Sequence, residues 1–94
     1  MTILSEAKCR EAVRDALDSL PPEIRERLQN VAVIVDDSPP NGLYGLYDPR
    51  GGLPRIVIFR RAAPNAEQVR RTVLHEVGHH FGMSEQQIRE LGYG

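Results

Sequence analysis

Residues 73–85 of the chain read V-L-H-E-V-G-H-H-F-G-M-S-E and contain the pattern H-E-x-x-H at His75, Glu76 and His79. On an α-helix, residues four apart lie about 40° apart on one face, so His75 and His79 can bind a single divalent cation. Glu76 lies beside this pair, where its carboxylate can take a proton from a water at the metal. The segment therefore predicts a helix that carries a hydrolytic metal site, and these ligand types favour zinc.

The apolar residues of this predicted helix fall on its other side. At about 100° per residue they occupy one arc of about 140°, which is the face expected to pack on the core. They are Val69, Val73, Leu74, Val77 and Phe81. His75 and His79 lie outside the arc, so the ligand face and the core face are separate. His80 lies within the arc, and we interpret it as a partly buried, hydrogen-bonded histidine.

A zinc ion that also holds a water needs a third protein ligand. Gly82 can adopt the left-handed conformation that ends a helix, and Glu85 follows it by three residues, which extends the pattern to H-E-x-x-H-x-x-G-x-x-E. Glu85 also has a structural explanation, because Ser84 and Gln87 form a capping-box pattern and helix dipoles favour an acid in the first turn. We expect Glu85 to be the third ligand, with Glu90 as its substitute.

Three further helices are predicted around the metal-site helix. Apolar residues at helical spacing predict the first over residues 5–20, and Pro22 can begin a short second one. Asn65 is a suitable N-cap for the metal-site helix, which we expect to end near Phe81 or Gly82. We expect the last helix to begin at the capping residue Ser84 and to end at Gly92. Its core residues are then Ile88 and Leu91.

Two β-branched runs, residues 31–36 and 55–59, predict buried strands. Between them a turn-rich segment, residues 36–42, precedes the run L-Y-G-L-Y at residues 43–47. We expect residues 43–47 to form a strand that pairs with residues 55–59. The sequence therefore predicts an α+β fold with a short, mostly antiparallel sheet of about three strands.

A glycine inside a strand often marks the close approach of another backbone. A substrate peptide could add to the edge of the 43–47 strand, so Tyr44, Gly45 and Tyr47 are our candidate substrate-binding residues. A β-bulge at Gly45, with the two tyrosines covering the core, explains the same pattern equally well. The oxyanion that forms during hydrolysis needs a hydrogen-bond donor in addition to the metal. Four residues are equal candidates for this donor: Tyr44, Tyr47, Tyr93 and His80.

Composition limits the classes of partner. The chain has 94 residues, of which 40% are hydrophobic and 27% charged, so we expect residues 1–94 to form a single domain. Its formal net charge of −1 argues against nucleic-acid binding, and the arginine pairs at 60–61 and 70–71 are interpreted as solvated. Cys9 is the single cysteine, and the first residues contain no long apolar run. We therefore expect a cytoplasmic protein without a membrane partner, as a monomer or a weak homodimer.

Taken together, the residues resemble a family. The segments that carry the resemblance span most of the chain: residues 20–21, 30–31, 42–45, 56–59, 74–85 and 91–93. They are similar to the small, single-domain zincin-like metallopeptidases of bacteria, sometimes described as minimal metalloproteases. The resemblance implies a minimal zincin-like α+β domain in which an active-site helix packs against a short sheet. It also implies one zinc ion held by His75, His79 and Glu85, with Glu76 as the catalytic acid and base.

The leading functional hypothesis is zinc-dependent hydrolysis of a peptide bond in a small peptide or an unfolded protein. The alternative is a non-catalytic module that keeps the zincin fold and binds a partner peptide in its cleft, which the small size of the chain favours. A purely structural zinc is weaker, because such sites usually have four protein ligands with thiolates among them and Cys9 is alone.

Overall fold

The computed structural model describes residues 3–38 and 42–93, and the turn predicted around residues 39–41 lies outside them. Four helices, three strands and one 3₁₀ turn follow one another along the chain. They are α1 (Glu6–Asp18), α2 (Pro22–Arg27), β1 (Ala32–Asp36), β2 (Gly45–Asp48), β3 (Arg55–Phe59), the 3₁₀ turn Arg60–Ala62, α3 (Ala66–His80) and α4 (Glu85–Glu90).

Side-chain caps determine where three of the helices begin. The Ser5 hydroxyl accepts a backbone hydrogen bond at the start of α1. At the start of α3, the side-chain oxygen of Asn65 accepts a hydrogen bond of 2.9 Å from the backbone amide of Gln68. Ser84 and Gln87 make both hydrogen bonds of a capping box at the start of α4. The caps predicted for α3 and α4 are therefore confirmed, because these side chains satisfy amides that a helix cannot bond internally.

The sheet has three strands in the order β1-β3-β2. β2 runs antiparallel to β3, and β1 runs parallel to it. The predicted α+β fold with three strands is confirmed, and one of its two strand pairs is antiparallel. The ladder between β2 and β3 extends one residue beyond Gly45, because the Phe59 amide donates to the Tyr44 carbonyl at 2.9 Å. β2 is an edge strand, so its outer backbone groups face away from the sheet.

The core lies between this sheet and two helices. α1 and α3 pack against each other, α1 contacts β1, and α3 contacts β2 and β3. Ten buried residues form the main cluster: Cys9, Ala12, Val13, Ala16, Ile56, Ile58, Ala63, Val69, Val73 and Val77. Burial of each large aliphatic side chain stabilises the fold by about 1.5–3 kcal/mol. Cys9 is fully buried, as a structural cysteine should be, and burial raises the pKa of its thiol.

Two residues that the periodicity assigns to the core are exposed. Phe81 is 36% exposed and Leu91 is 58% exposed, whereas Ile88 is buried. Both exposed residues are C-caps, one position beyond the last residue of α3 and of α4. Both side chains line one apolar cavity with Val77 and Ile88, and they are exposed because no described residue covers the open side of that cavity. The predicted core placement of Phe81 and Leu91 is therefore wrong.

Within the described residues, no helix combines the length and the apolar character needed to cross a membrane.

A buried acid joins the ends of β2 and β3. The Asp48 carboxylate is only 5% exposed, and it accepts hydrogen bonds from Arg50 Nε at 2.9 Å and from Arg55 Nη2 at 3.1 Å. Asp48 and Arg55 are also direct partners in the strand register. Hydrogen bonds from Arg50, reinforced by Arg55, hold the pKa of Asp48 far below its usual range. This ionised carboxylate therefore contributes to the stability of the hairpin.

We expect Asp48→Asn to lower the Tm at pH 7, because the amide leaves both guanidinium groups without their anionic partner. The pKa of Asp48 is depressed in the folded state. Its stabilising contribution is therefore complete above the unfolded-state pKa of about 4 and is lost as the pH falls through the folded-state value. The Tm difference from the wild type should narrow below about pH 4, as measured by circular dichroism. Asp15→Asn, on the exposed face of α1, is the control. A Tm difference between Asp48→Asn and the wild type that does not change with pH would contradict the prediction.

Candidate metal centre

The chain reverses direction at Gly82 and brings the start of α4 back to the last turns of α3. Gly82 has a φ of 80°, which favours glycine. Its amide donates to the His79 carbonyl at 3.0 Å, and the Met83 amide donates to the Gly78 carbonyl at 3.0 Å. These two bonds are those of a Schellman motif, which ends a helix and sets the exit direction of the chain. The reversal places Glu85, the first residue of α4, in front of the α3 histidines.

The structure brings together the three residues that the sequence predicted as ligands. Glu85 Oε1 lies 3.3 Å from His75 Nε2 and 2.6 Å from His79 Nε2. One ligand atom from each residue lies within 4.8 Å of the others, so the three side chains could hold a metal ion. Glu90, the substitute, is not in the cluster; its carboxylate accepts a hydrogen bond from Gln86 instead.

The donor set fits zinc. Tetrahedral zinc with bonds of about 2.0–2.1 Å separates neighbouring ligand atoms by about 3.3 Å, which matches the distance from His75 to Glu85. The hydrogen bond between His79 and Glu85 must open by about 0.7 Å to reach that separation. The hydrogen bond that His79 donates to Glu85 lowers the pKa of the Glu85 carboxyl. Two neutral imidazoles and one ionised carboxylate are the usual form of a catalytic zinc site.

A backbone carbonyl orients one of the histidines. His75 Nδ1 lies 2.9 Å from the carbonyl oxygen of Tyr93. A carbonyl oxygen only accepts hydrogen bonds, so the hydrogen bond requires a proton on Nδ1. In the neutral ring Nε2 is then unprotonated, and Nε2 is the atom that faces Glu85. Partners of this kind fix the tautomer and the orientation of metal-binding histidines.

A second glycine turn places this carbonyl. Gly92 has a φ of 91°, and its amide donates to the Arg89 carbonyl at 2.9 Å. The Tyr93 amide donates to the Ile88 carbonyl at 3.2 Å, which completes a second Schellman motif. Sequence reasoning missed the contribution of Tyr93, because a backbone acceptor requires no particular side chain. The only available signal was Gly92 as a terminating residue.

Glu76 lies on α3 between the two histidines and is 8% exposed. Burial raises the pKa of its carboxyl, the nearby His75 and His79 oppose this effect, and the negative charge of Glu85 adds to it. Among residues 3–38 and 42–93, no side chain or backbone amide donates a hydrogen bond to this carboxylate within 3.5 Å. Glu76 is therefore a desolvated acid beside the candidate ligands, with its oxygen atoms available to another molecule.

The family model of the zincin-like metallopeptidases matches residues 28–94, which include every residue of this site. The chain belongs to the zincin-like metallopeptidase family. The predicted family is thereby confirmed, and membership supports a hydrolase with a metal cofactor and peptide substrates. A comparison with curated proteins gives no match.

In this zincin-like domain, two adjoining cavities form a cleft between β2 and α3. The smaller has a volume of about 250 Å³ and the larger about 540 Å³. Three residues line both cavities: Gly45 from β2, and His75 and Glu76 from α3. We call the two together the metal-site cleft. The larger cavity also contacts His79 and Glu85, so the candidate ligands lie where the two cavities meet.

Gly45 is required by packing inside the domain. A Cβ atom at this position would lie 2.7 Å from Cγ2 of Thr72 and 2.8 Å from the carbonyl oxygen of Val57. Both distances are shorter than real Cβ contacts, so a side chain here would displace either α3 or β3. The close approach that the sequence signalled at Gly45 is therefore made by α3 and the neighbouring strand.

The two candidate tyrosines have different environments. Tyr44 is 48% exposed and lines the smaller cavity, whereas Tyr47 is partly buried beside the larger one. The Tyr47 hydroxyl lies 2.9 Å from His80 Nδ1, and the two rings meet edge to face with centroids 5.5 Å apart. His80 is therefore the partly buried, hydrogen-bonded histidine that the sequence predicted. Its bond to Tyr47 joins β2 to the end of α3.

We expect truncation before Tyr93 to weaken zinc binding by about 10- to 100-fold, the usual effect of losing the partner that orients a metal-binding histidine. Calorimetric zinc titration of the truncated and full chains gives the two dissociation constants. Tyr93→Ala is the matched control, because it keeps the carbonyl oxygen and should bind zinc like the wild type. Equal affinity in the truncated chain would show that Tyr93 does not orient His75.

Proposed function

We propose that this protein is a zinc-dependent peptidase that uses one metal ion and hydrolyses peptide bonds in small peptides or unfolded proteins. The observation that carries the proposal is the meeting of His75, His79 and Glu85 beside the buried acid Glu76. Membership in the zincin-like metallopeptidase family supports the reaction class. The fit of the nitrogen and oxygen donors supports zinc as the ion.

His75, His79 and Glu85 would hold the ion at the middle of the metal-site cleft. When bound, zinc supplies Lewis-acid polarisation of a substrate carbonyl and lowers the pKa of a water molecule. The protein contributes the orientation of the ligands, through Gly82 and through the hydrogen bond from His75 to Tyr93. The cleft walls of β2 and α3 would hold the substrate against this site.

Glu76 is the proposed general base and acid. Its carboxylate would take a proton from the attacking water as the water oxygen bonds to the carbonyl carbon, and would return it to the departing amine as the carbon–nitrogen bond breaks. A carboxyl group is most effective in this role when its pKa is raised toward the working pH. Burial of Glu76 raises the pKa of its carboxyl, which is the direction that this role requires. Its free carboxylate oxygens and its place beside the ligands support this assignment.

Tyr44, Gly45 and Tyr47 remain our candidates for substrate binding. All three lie on or beside the edge strand β2, which borders the metal-site cleft. An extended peptide could pair with the outer backbone of this strand. For the oxyanion, the three tyrosines are better placed than His80, because Tyr44 and Tyr93 line the smaller cavity and Tyr47 lines the larger one, and both cavities contain His75 and Glu76.

A second function is favoured by the exposure of apolar side chains at the same cleft. Leu43 and Tyr44 are each 48% exposed, and tyrosine is one of the residues that most often anchor a binding partner. The protein could hold a partner peptide there without cleaving it. Peptide capture that persists after chelation of the metal and in Glu76→Gln, with no cleavage by the wild type, would favour this binding module over the peptidase.

We expect Glu76→Gln to keep zinc affinity and to lose about two to four orders of magnitude in turnover, which is the usual contribution of a general acid and base. Turnover is measured by mass spectrometry on an unfolded protein substrate, and zinc affinity by calorimetry on the same preparations. Glu67→Gln, in the exposed first turn of α3, is the matched control. Wild-type turnover in Glu76→Gln would remove Glu76 from the mechanism.

A further inference from the structure

The smaller cavity of the metal-site cleft contains a cationic side chain that the proposed reaction does not use. Arg71 lines this cavity together with His75 and Glu76. It precedes His75 by four residues on α3, so it lies on the same helix face and about 6 Å further along the axis. The cavity has a volume of about 250 Å³, which is room for a single side chain or a chain end.

Within residues 3–38 and 42–93, no acidic side chain neutralises the charge of Arg71. Among the described residues, six other arginines have a carboxylate within 4.0 Å; Arg70 Nη2, for example, lies 3.0 Å from Glu67, and Arg55 Nη2 lies 3.1 Å from Asp48. For Arg71, the described parts of the chain provide no carboxylate within 4.0 Å and no hydrogen-bond acceptor for its side chain. Glu76 shares the cavity with Arg71 without forming an ion pair with it. As far as the described residues go, the guanidinium is therefore available to a ligand.

The surrounding residues suit a polar ligand. Tyr44 and Tyr93 line the cavity with their amphipathic side chains, and Gln68 adds an amide one turn before Arg71 on α3. Thr72 uses its hydroxyl internally, because it donates to the Gln68 carbonyl at 2.8 Å. Arg71 adds charged donors to the neutral hydroxyls of Tyr44 and Tyr93, and a planar guanidinium matches a carboxylate through two parallel hydrogen bonds.

We propose that Arg71 forms a subsite for a carboxylate of the peptide substrate. Arg71 and His75 leave α3 about 6 Å apart along its axis, and an extended peptide advances about 3.3 Å per residue, so the carboxylate would lie within a few residues of the cleaved bond. The carboxylate is either an Asp or Glu side chain at that position or the terminal carboxylate of a peptide cleaved near its C-terminus. This inference rests on the proposed peptidase function, and it assigns a substrate class to the same site.

The test measures binding, so that it does not depend on turnover. The probe is a set of short fluorescein-labelled peptides that differ by one Glu or Gln, placed at each position in turn, with a C-terminal acid or amide. Their affinities for zinc-loaded Glu76→Gln are measured by fluorescence anisotropy. We expect the peptides with a carboxylate at the preferred position to bind about 10- to 100-fold more tightly than their amide counterparts. This is the usual effect of a hydrogen bond to a charged group. The scan shows whether the side chain or the chain end supplies this carboxylate.

Variants of Arg71 in the Glu76→Gln background separate the subsite from the metal, which also attracts carboxylates. Adding Arg71→Gln should abolish the preference, whereas Arg70→Gln should preserve it, because Arg70 is paired with Glu67 outside the cavity. Adding Arg71→Glu should make peptides with Lys at the same position bind more tightly than those with Gln. A preference unchanged by Arg71→Gln, or the absence of any preference, would overturn the subsite. Failure of the peptidase proposal is seen separately, as an absence of cleavage by the wild type.

Discussion

The site depends on the geometry of one turn. His75 and His79 are placed by the helix repeat alone, but Glu85, the candidate third ligand, comes within 3.3 Å of both only because the chain reverses at Gly82. The reversal requires a positive φ, which costs a residue with a side chain about 1–2 kcal/mol. A second reversal at Gly92 returns the Tyr93 carbonyl to His75. The glycines that end α3 and α4 thus determine how the candidate ligands on the two helices lie relative to one another.

The rest of the domain holds α3 in a fixed orientation for this purpose. Val69, Val73 and Val77 are buried against α1 and the sheet, so the opposite face of α3 must look into the cleft. Gly45 lets β2 approach α3 closely, and the hydrogen bond between Tyr47 and His80 fixes the end of the strand. The desolvation of Glu76 follows from this close packing. The packing that stabilises the domain therefore also creates the environment that a catalytic carboxyl needs.

Much of this arrangement could be predicted from local sequence, because the signals were short-range. The spacing of His75 and His79 is a property of one helix, and Ser84 with Gln87 forms a capping box within a single turn. Strand direction was harder, since the parallel pairing of β1 with β3 joins segments far apart in sequence. The Tyr93 carbonyl could not be predicted, because every residue has one. The position of Arg71 in the cleft depends on how β2 and α4 pack around α3. The pair of arginines at residues 70–71 does not by itself predict that packing.

We propose that His75, His79 and Glu85 together bind one zinc ion. Calorimetric titration of zinc into metal-free protein tests it most directly, with Glu85→Ala as the variant and Glu90→Ala as the matched control on the same helix. The account predicts one site with a dissociation constant below about 1 µM, weakened by about 100-fold or more in Glu85→Ala and unchanged in Glu90→Ala. No binding, or binding that is indifferent to Glu85, would contradict it.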